Sequence, residues 1–399
     1  MPGFELFGER EKQSVQEVLE NGVLMRYGFG PMRNGHWKAL EMEKALAGRM
    51  QTRYAHLTSS GTSALTTTLA AAGVGAGDEV ILPVFTFVAS FEAVLSVGAV
   101  PVLCDIDDTL TLSPKAVKAL INPRTRVIMP VHMCGSMADL GALGAIAREH
   151  GLLLIEDACQ AIGGSYNGKP LGSIGDAGCF SFDFVKTVTC GEGGALITNS
   201  GELCERAQAY SDHGHDHVGS DRGAEGHPHL GYNYRISELH AAVGLAQLAR
   251  LDEFLGIQHN HYARLEAAIA DLPGVRMRRI PEGGVQNYSF LNFFLPGLNP
   301  AKEVQKALAE AGVDGVFHWY DNNWHYHRRW EHLREMRSLG KLPAVVQKRL
   351  AQLEGRSFEA SDRWMAGCLS VLIKLGWAPE EVERRASALR SVLKSVLDQ

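Results

Sequence analysis

Short apolar runs at residues 80–83, 100–105, 127–131 and 152–156 give the first half of the chain its rhythm, and each reads as a buried strand. Residues 88–97 and 140–150 lie between these runs and carry apolar positions at helical spacing. Upstream, residues 10–20 and 37–49 predict two helices joined by a glycine-rich link that holds Met25, Tyr27 and Phe29. Residues 58–72 begin Thr-Ser-Ser-Gly-Thr and continue as a run of small apolar residues suited to a buried helix. Strands alternating with helices define an α/β fold, with a largely parallel sheet covered on both faces.

The texture changes after residue 163. Segments 177–182 and 195–198 read as adjacent strands, and 211–234 as a loop rich in His and Gly, too polar for core. A single long helical stretch, 236–270, is expected to link two domains. The rest reads as α+β: a strand at 289–295, a helix at 300–312, an aromatic segment at 316–330 and two terminal helices. The expected division is a large domain over 1–250, whose N-terminal segment can pack on its neighbour, and a small domain over 251–399.

The composition removes several function classes. With 39 Lys and Arg against 45 Asp and Glu, the net charge of −6 gives no basis for binding nucleic acid or an anionic membrane. The uncharged stretch from Tyr54 to Gly77 is long enough to span a bilayer, but eight of its residues are Ser or Thr. The start of the chain is charged from Glu5 onward, unlike a secretory signal. Seven cysteines without a Cys-x-x-Cys pair suit reduced thiols, so a cytoplasmic protein is expected.

Ligands of open α/β sheets gather beyond the carboxyl ends of the strands. Three such places carry chemistry. Ser59-Ser60-Gly61-Thr62-Ser63 opens a helix, where free amides and the helix dipole suit a phosphate, or where Ser simply caps. Glu156-Asp157-Ala158-Cys159-Gln160 follows a strand, and a carboxylate there serves a metal, a ribose, a protonated nitrogen or only a turn. Lys186 lies between the aromatic run Phe180-Ser-Phe-Asp-Phe and the turn Gly191-Glu-Gly-Gly194, where a partly buried amine is a nucleophile and an exposed one is merely solvated. Together they match the needs of pyridoxal 5′-phosphate (PLP): an amine for its aldehyde, a carboxylate for its ring nitrogen and donors for its phosphate. The histidines at 213, 215, 217, 227 and 229 lack the spacing of a ligand set, so no metal is expected.

The motifs SSGTSAL, LPVFTFVAS, IEDACQAIGGSYNGKPLGSIGDAGCFSF, the Lys186 turn and LGYNYRISELHAAVGLAQL resemble the DegT/DnrJ/StrS family of sugar aminotransferases, PLP enzymes of fold type I. The resemblance runs nearly the whole length. It implies that Lys186 holds the cofactor covalently, that Asp157 binds the ring nitrogen and that Gln160 sits near the phenolic oxygen. Phe87 would stack on the ring, and Gly61, Thr62 and Ser181 would hold the phosphate. Asn233 would reach that phosphate from the other subunit, making the enzyme a homodimer with shared sites.

Four segments, 1–8, 131–137, 211–217 and 319–326, are unlike most of the family. They resemble members that aminate the terminal carbon of an eight-carbon keto sugar acid for lipopolysaccharide, with glutamate as the expected donor. A nucleotide-linked keto-hexose is the alternative acceptor. A PLP-dependent dehydratase is disfavoured because Lys186 is present, and a PLP-binding regulator because no DNA-binding segment is evident. A distant substrate carboxylate calls for a cation. His213, His215 and His318 are the expected substrate contacts, with Arg328 and Arg329 as further cations.

Overall fold

Seven strands form the central sheet of the computed structural model, which describes residues 2–219, 222–335, 337–353 and 355–398. In chain order they are β1 (Tyr54–Thr58), β2 (Glu79–Pro83), β3 (Val100–Cys104), β4 (Thr125–Ile128), β5 (Leu153–Asp157), β6 (Ala177–Ser181) and β7 (Gly194–Thr198). Their spatial order is β1-β7-β6-β5-β4-β2-β3. The pairs from β3 through to β6 are parallel, whereas β7 runs antiparallel to both β6 and β1. This mixed, mostly parallel α/β sheet agrees with the sequence pattern. The strand at 54–58 was not legible there, because Tyr-Ala-His-Leu-Thr has neither a β-branched run nor clean alternation.

The helix Gly61–Ala71 is almost wholly buried despite its hydroxyls. Thr68 Oγ1 donates to the Ala64 carbonyl at 2.8 Å, and Thr66 Oγ1 lies 2.9 Å from Ser96 Oγ. A threonine that bonds back into its own helix can be buried without an orphaned polar group. No helix among the described residues is long and apolar enough to cross a membrane.

The stretch expected as one helix is two, Glu238–Leu248 and Leu251–Ile269. No Gly or Pro marks the break at Ala249 and Arg250; packing makes it. Ala241 and Leu248 belong to the core around β1, β6 and β7, while Leu265 and Ile269 enter a separate core with Leu291, Phe293, Val371 and Leu389. One straight rod could not serve both.

That second core is built on a four-stranded antiparallel sheet, β8 (Arg276–Met277), β9 (Phe290–Phe294), β10 (Val316–Phe317) and β11 (Cys368–Leu372), in the order β8-β9-β11-β10. Strand β11 lies between the helices Glu359–Gly367 and Pro379–Leu397, where the sequence pattern predicts helices alone. The N-terminal segment touches both regions: the Gly3 amide donates to the Lys186 carbonyl at 2.9 Å, and Glu5 accepts from the Gly376 amide at 2.9 Å. Residues 324–327 return to the main sheet and run beside 84–88. The amides of Thr86 and Val88 donate to the carbonyls of His325 and Trp324 at 3.0 and 2.9 Å, and the His327 amide donates to Val84 at 3.1 Å.

Candidate active site

Strand alternation settles which carboxylate of the Glu156-Asp157 pair meets a ligand, since neighbouring side chains leave a strand on opposite faces. Glu156 points away from the pocket and is fully buried, accepting from the amides of Gly172, Ile174 and Gly175 at 2.7–2.8 Å, with His132 Nε2 at 2.9 Å. Its valences are spent on structure. Asp157 points into a cavity of 270 Å³, accepting from Ser90 Oγ at 2.7 Å and from the Cys159 amide at 3.1 Å. A carboxylate accepts about four bonds, so Asp157 keeps capacity for a proton-bearing ligand atom. Thr86 Oγ1, at 2.5 Å from Ser90 Oγ, fixes the serine in turn.

The same cavity is lined by Gly61, Thr62, Phe87, Gln160, Ser181 and Lys186. Ser60 caps the helix start, its Oγ accepting from the Ser63 amide at 3.0 Å, which leaves the Gly61 and Thr62 amides without helical partners. A Cβ on Gly61 would lie 2.7 Å from that of Ser181, and a Cβ on Gly194 would lie 2.2 Å from the Ser60 carbonyl. Only glycine permits this close approach of helix start, Ser181 and β7. The resulting concavity of amides and hydroxyls fits a phosphate. Gln160 is held by the Cys134 amide, which donates to its Oε1 at 2.9 Å. Lys186 follows a turn closed by its own amide on the Asp183 carbonyl at 3.0 Å. Burial, with Asp157 adding to it, pushes the Cys159 thiol well up, so this cysteine is a neutral packing group rather than a nucleophile.

Four expected residues do not line this cavity. Asn233 is exposed on the loop following 211–219, its backbone bridged to Asp212. His213 is exposed, and His215 places Nδ1 2.8 Å from Glu225 Oε2. His318 lies outside the cavity, its Nε2 bonded to the Ala366 carbonyl at 2.9 Å, and burial lowers its pKa. The histidine that does line the cavity is His325, packed 5.3 Å from Phe87 and 4.6 Å from Trp319. It lies in the aromatic segment, but only the pairing with residues 84–88 shows which of that segment's rings reaches the site.

Burial, with the Lys186 ammonium adding to it, holds His325 down at about 3. In an unfolded chain it titrates near 6.5, so between these values the unfolded state binds the extra proton. Stability is therefore fully present above about pH 6.5 and falls as the pH drops. At pH 5 this group alone costs about 2 kcal/mol. Denaturant titrations of the cofactor-free protein should show this loss. His325→Asn should flatten the slope, and a variant slope equal to that of the unaltered protein refutes the assignment.

A buried carboxylate, an amine, an aromatic face and a phosphate cradle at the carboxyl ends of a mixed sheet define a PLP-dependent transferase of fold type I. The chain belongs to the DegT/DnrJ/EryC1/StrS aminotransferase family, whose profile matches residues 6–390. GDP-perosamine synthase of Caulobacter vibrioides is 42% identical over 234 residues, 58% of this chain and 62% of that protein, which is under two thirds of its length. The 3-amino-5-hydroxybenzoate synthase of Amycolatopsis mediterranei is 35% identical over 320 residues, 78% of this chain and 79% of that protein. The solved aminotransferase of Psychrobacter cryohalolentis superposes with a TM-score of 0.85 at 25% identity, covering 98% of both chains.

Proposed function

We propose that this chain transfers the amino group of glutamate to the terminal aldehyde carbon of an 8-oxo-3-deoxy-manno-octulosonate, the reaction of the 8-amino-3,8-dideoxy-manno-octulosonate transaminase in lipopolysaccharide biosynthesis. One observation carries the reading. Of the four segments that set the sequence apart from most of its family, two line the candidate cofactor pocket and a third bonds the backbone of Lys186. Gly3 bonds the Lys186 carbonyl, Val131 and Met133 line the cavity beside Gln160, and His325 forms its wall.

When bound, PLP supplies an aldehyde that takes up the amino group and a ring that stores an electron pair. Lys186 Nζ would be the covalent anchor and, once free, the general base that takes the α-proton of the donor and the acid that delivers it to the carbon that was the cofactor's aldehyde. The Asp157 carboxylate keeps the ring nitrogen protonated, with Ser90 and the Cys159 amide fixing its angle. Gly61, Thr62 and Ser181 would take the phosphate, Phe87 would stack on the ring and Gln160 would serve the phenolic oxygen. Asn233 completes the phosphate site of a partner subunit, and His213 and His215, on the same loop, reach a sugar only across that dimer interface. The large domain runs to residue 250 and the small one from 251, with the cofactor held mainly by the former.

A nucleotide-linked keto-hexose is the second reading, favoured by the likeness to GDP-perosamine synthase. The test offers the 8-oxo octulosonate and a 4-keto nucleotide-hexose separately, each with glutamate, and identifies products by mass. Preference for the octulosonate in kcat/KM is the expected result. Preference for the nucleotide sugar replaces the acceptor and leaves fold, cofactor and family intact.

A further inference from the structure

We infer that Arg329, at the head of a cleft adjoining the cofactor pocket, binds the carboxylate of the acceptor and selects for an acidic sugar, with Trp324 as the surface on which the sugar packs. The inference rests on the proposed acceptor and says which side chains recognise it.

The cleft is lined by Val88, Asn323, Trp324, Arg329, Arg337 and His332, together with Glu92 and Glu331. It shares a wall with the cofactor pocket. Phe87 faces the cofactor side and Val88 the cleft, while on the paired segment His325 faces the cofactor side and Trp324 the cleft. The Trp324 and Phe87 rings are stacked, with centroids 6.2 Å apart and planes 22° apart. Trp324 is nevertheless 60% exposed, so a large apolar ring is presented to solvent beside the reacting centre. The Asn322 side chain, accepting from the Trp324 amide at 2.9 Å, holds that segment in place. Flat aromatic surface beside an amide suits a polyhydroxylated chain, whose C–H face packs on the ring while its hydroxyls bond the amide.

Charge singles out Arg329. The other basic side chains of the cleft have carboxylate neighbours: Arg337 pairs with Glu331 at 3.0 Å and with Glu335 at 2.8 Å, and His332 lies 3.8 Å from Glu92. Arg328, one residue earlier, is occupied by Asp362 at 3.3 Å and stacks over Tyr320 at 4.4 Å. Among the described residues no carboxylate pairs with Arg329, so its guanidinium fork remains available. The two acidic groups facing the cleft have other neighbours, Glu331 pairing with Arg337 and Glu92 lying beside His332, and neither pairs with Arg329. A guanidinium of this kind prefers a carboxylate, which it grips with two parallel bonds.

The test uses the PLP-loaded enzyme, glutamate and two acceptors, the 8-oxo octulosonate and its C1 carboxamide. In the unaltered enzyme the acid should be favoured over the amide by about tenfold or more in kcat/KM. Arg329→Gln should bring that ratio close to one through a higher KM for the acid, and Arg329→Lys should restore part of it. Arg328→Gln, at the paired neighbour, should move the ratio less than twofold. A second readout avoids turnover: 3-deoxy-octulosonate, which has an alcohol at the reacting carbon, should quench tryptophan fluorescence, and Trp324→Phe should abolish the quench. An Arg329→Gln enzyme that still prefers the acid as strongly overturns the inference and leaves the acceptor standing. An unaltered enzyme that ignores both octulosonates and aminates a nucleotide-hexose overturns the acceptor, and this inference with it.

Discussion

Lys186→Ala protein should lose about 10³-fold or more in transamination, because in the proposed mechanism the substitution removes both the covalent anchor and the group that moves the proton. The fold should survive. The contacts recorded for Lys186 in the structure are made by its backbone, the amide to Asp183 and the carbonyl from Gly3, and alanine keeps both. The diagnostic readout is colour: the variant should bind the cofactor without the yellow absorbance of the lysine-bound form, and should release it on dialysis. Mixing it with Asn233→Ala chains adds a test of the shared site. If Asn233 serves the partner, each mixed dimer holds one site with both residues intact, and part of the activity should return on subunit exchange. Full turnover in Lys186→Ala removes this residue from the chemistry, and proven exchange without recovery places Asn233 outside the partner's site.

Asp157→Asn should keep its fold and lose turnover by about 10²-fold or more. The structure lets the two effects be separated. One carboxylate oxygen accepts from the Cys159 amide, and the other from Ser90 Oγ. An asparagine can keep its oxygen on Cys159 and turn its NH₂ toward Ser90, whose hydroxyl can accept as well as donate. The hydrogen bonds are thus nearly preserved, while the negative charge that holds a proton on the ring nitrogen is gone. An unchanged melting temperature with collapsed kcat is the expected signature. Undiminished kcat with cofactor bound would show that the ring nitrogen needs no carboxylate.

Where local chemistry decides, sequence reading and structure meet. Helix 140–150 opens with Asp139, whose Oδ1 caps Ala142 at 3.0 Å, and closes with Gly151 at φ +63, and both signals are visible in the letters. The strands at 79–83 and 100–104 carry the apolar runs 80–83 and 100–104, buried between layers. The grouping of Asp157, Gln160, Ser181 and Lys186, close in sequence after strand ends, is matched by one cavity that all four line. What the letters did not reveal depended on distant contacts. The break at Ala249 answers to two separate cores, and the choice between His318 and His325 answers to a pairing with residues 84–88. Nothing within either histidine's own neighbourhood distinguishes a ring bonded to a carbonyl from a ring that faces a ligand.

That pairing also sets a timetable for the nascent chain. Every side chain expected to grip the cofactor has been synthesised by residue 233, yet the wall supplied by His325 comes about ninety residues later. Until then Phe85, which ends up fully buried and 6.1 Å from Trp319, lacks the cover of that ring, and the amides of Thr86 and Val88 lack the carbonyls that receive them. Such unpaired edge and exposed aromatic surface is what makes a half-made chain sticky. The ribosome must deliver most of the polypeptide before the strap can close, so assembly of the catalytic centre is a late event by topology.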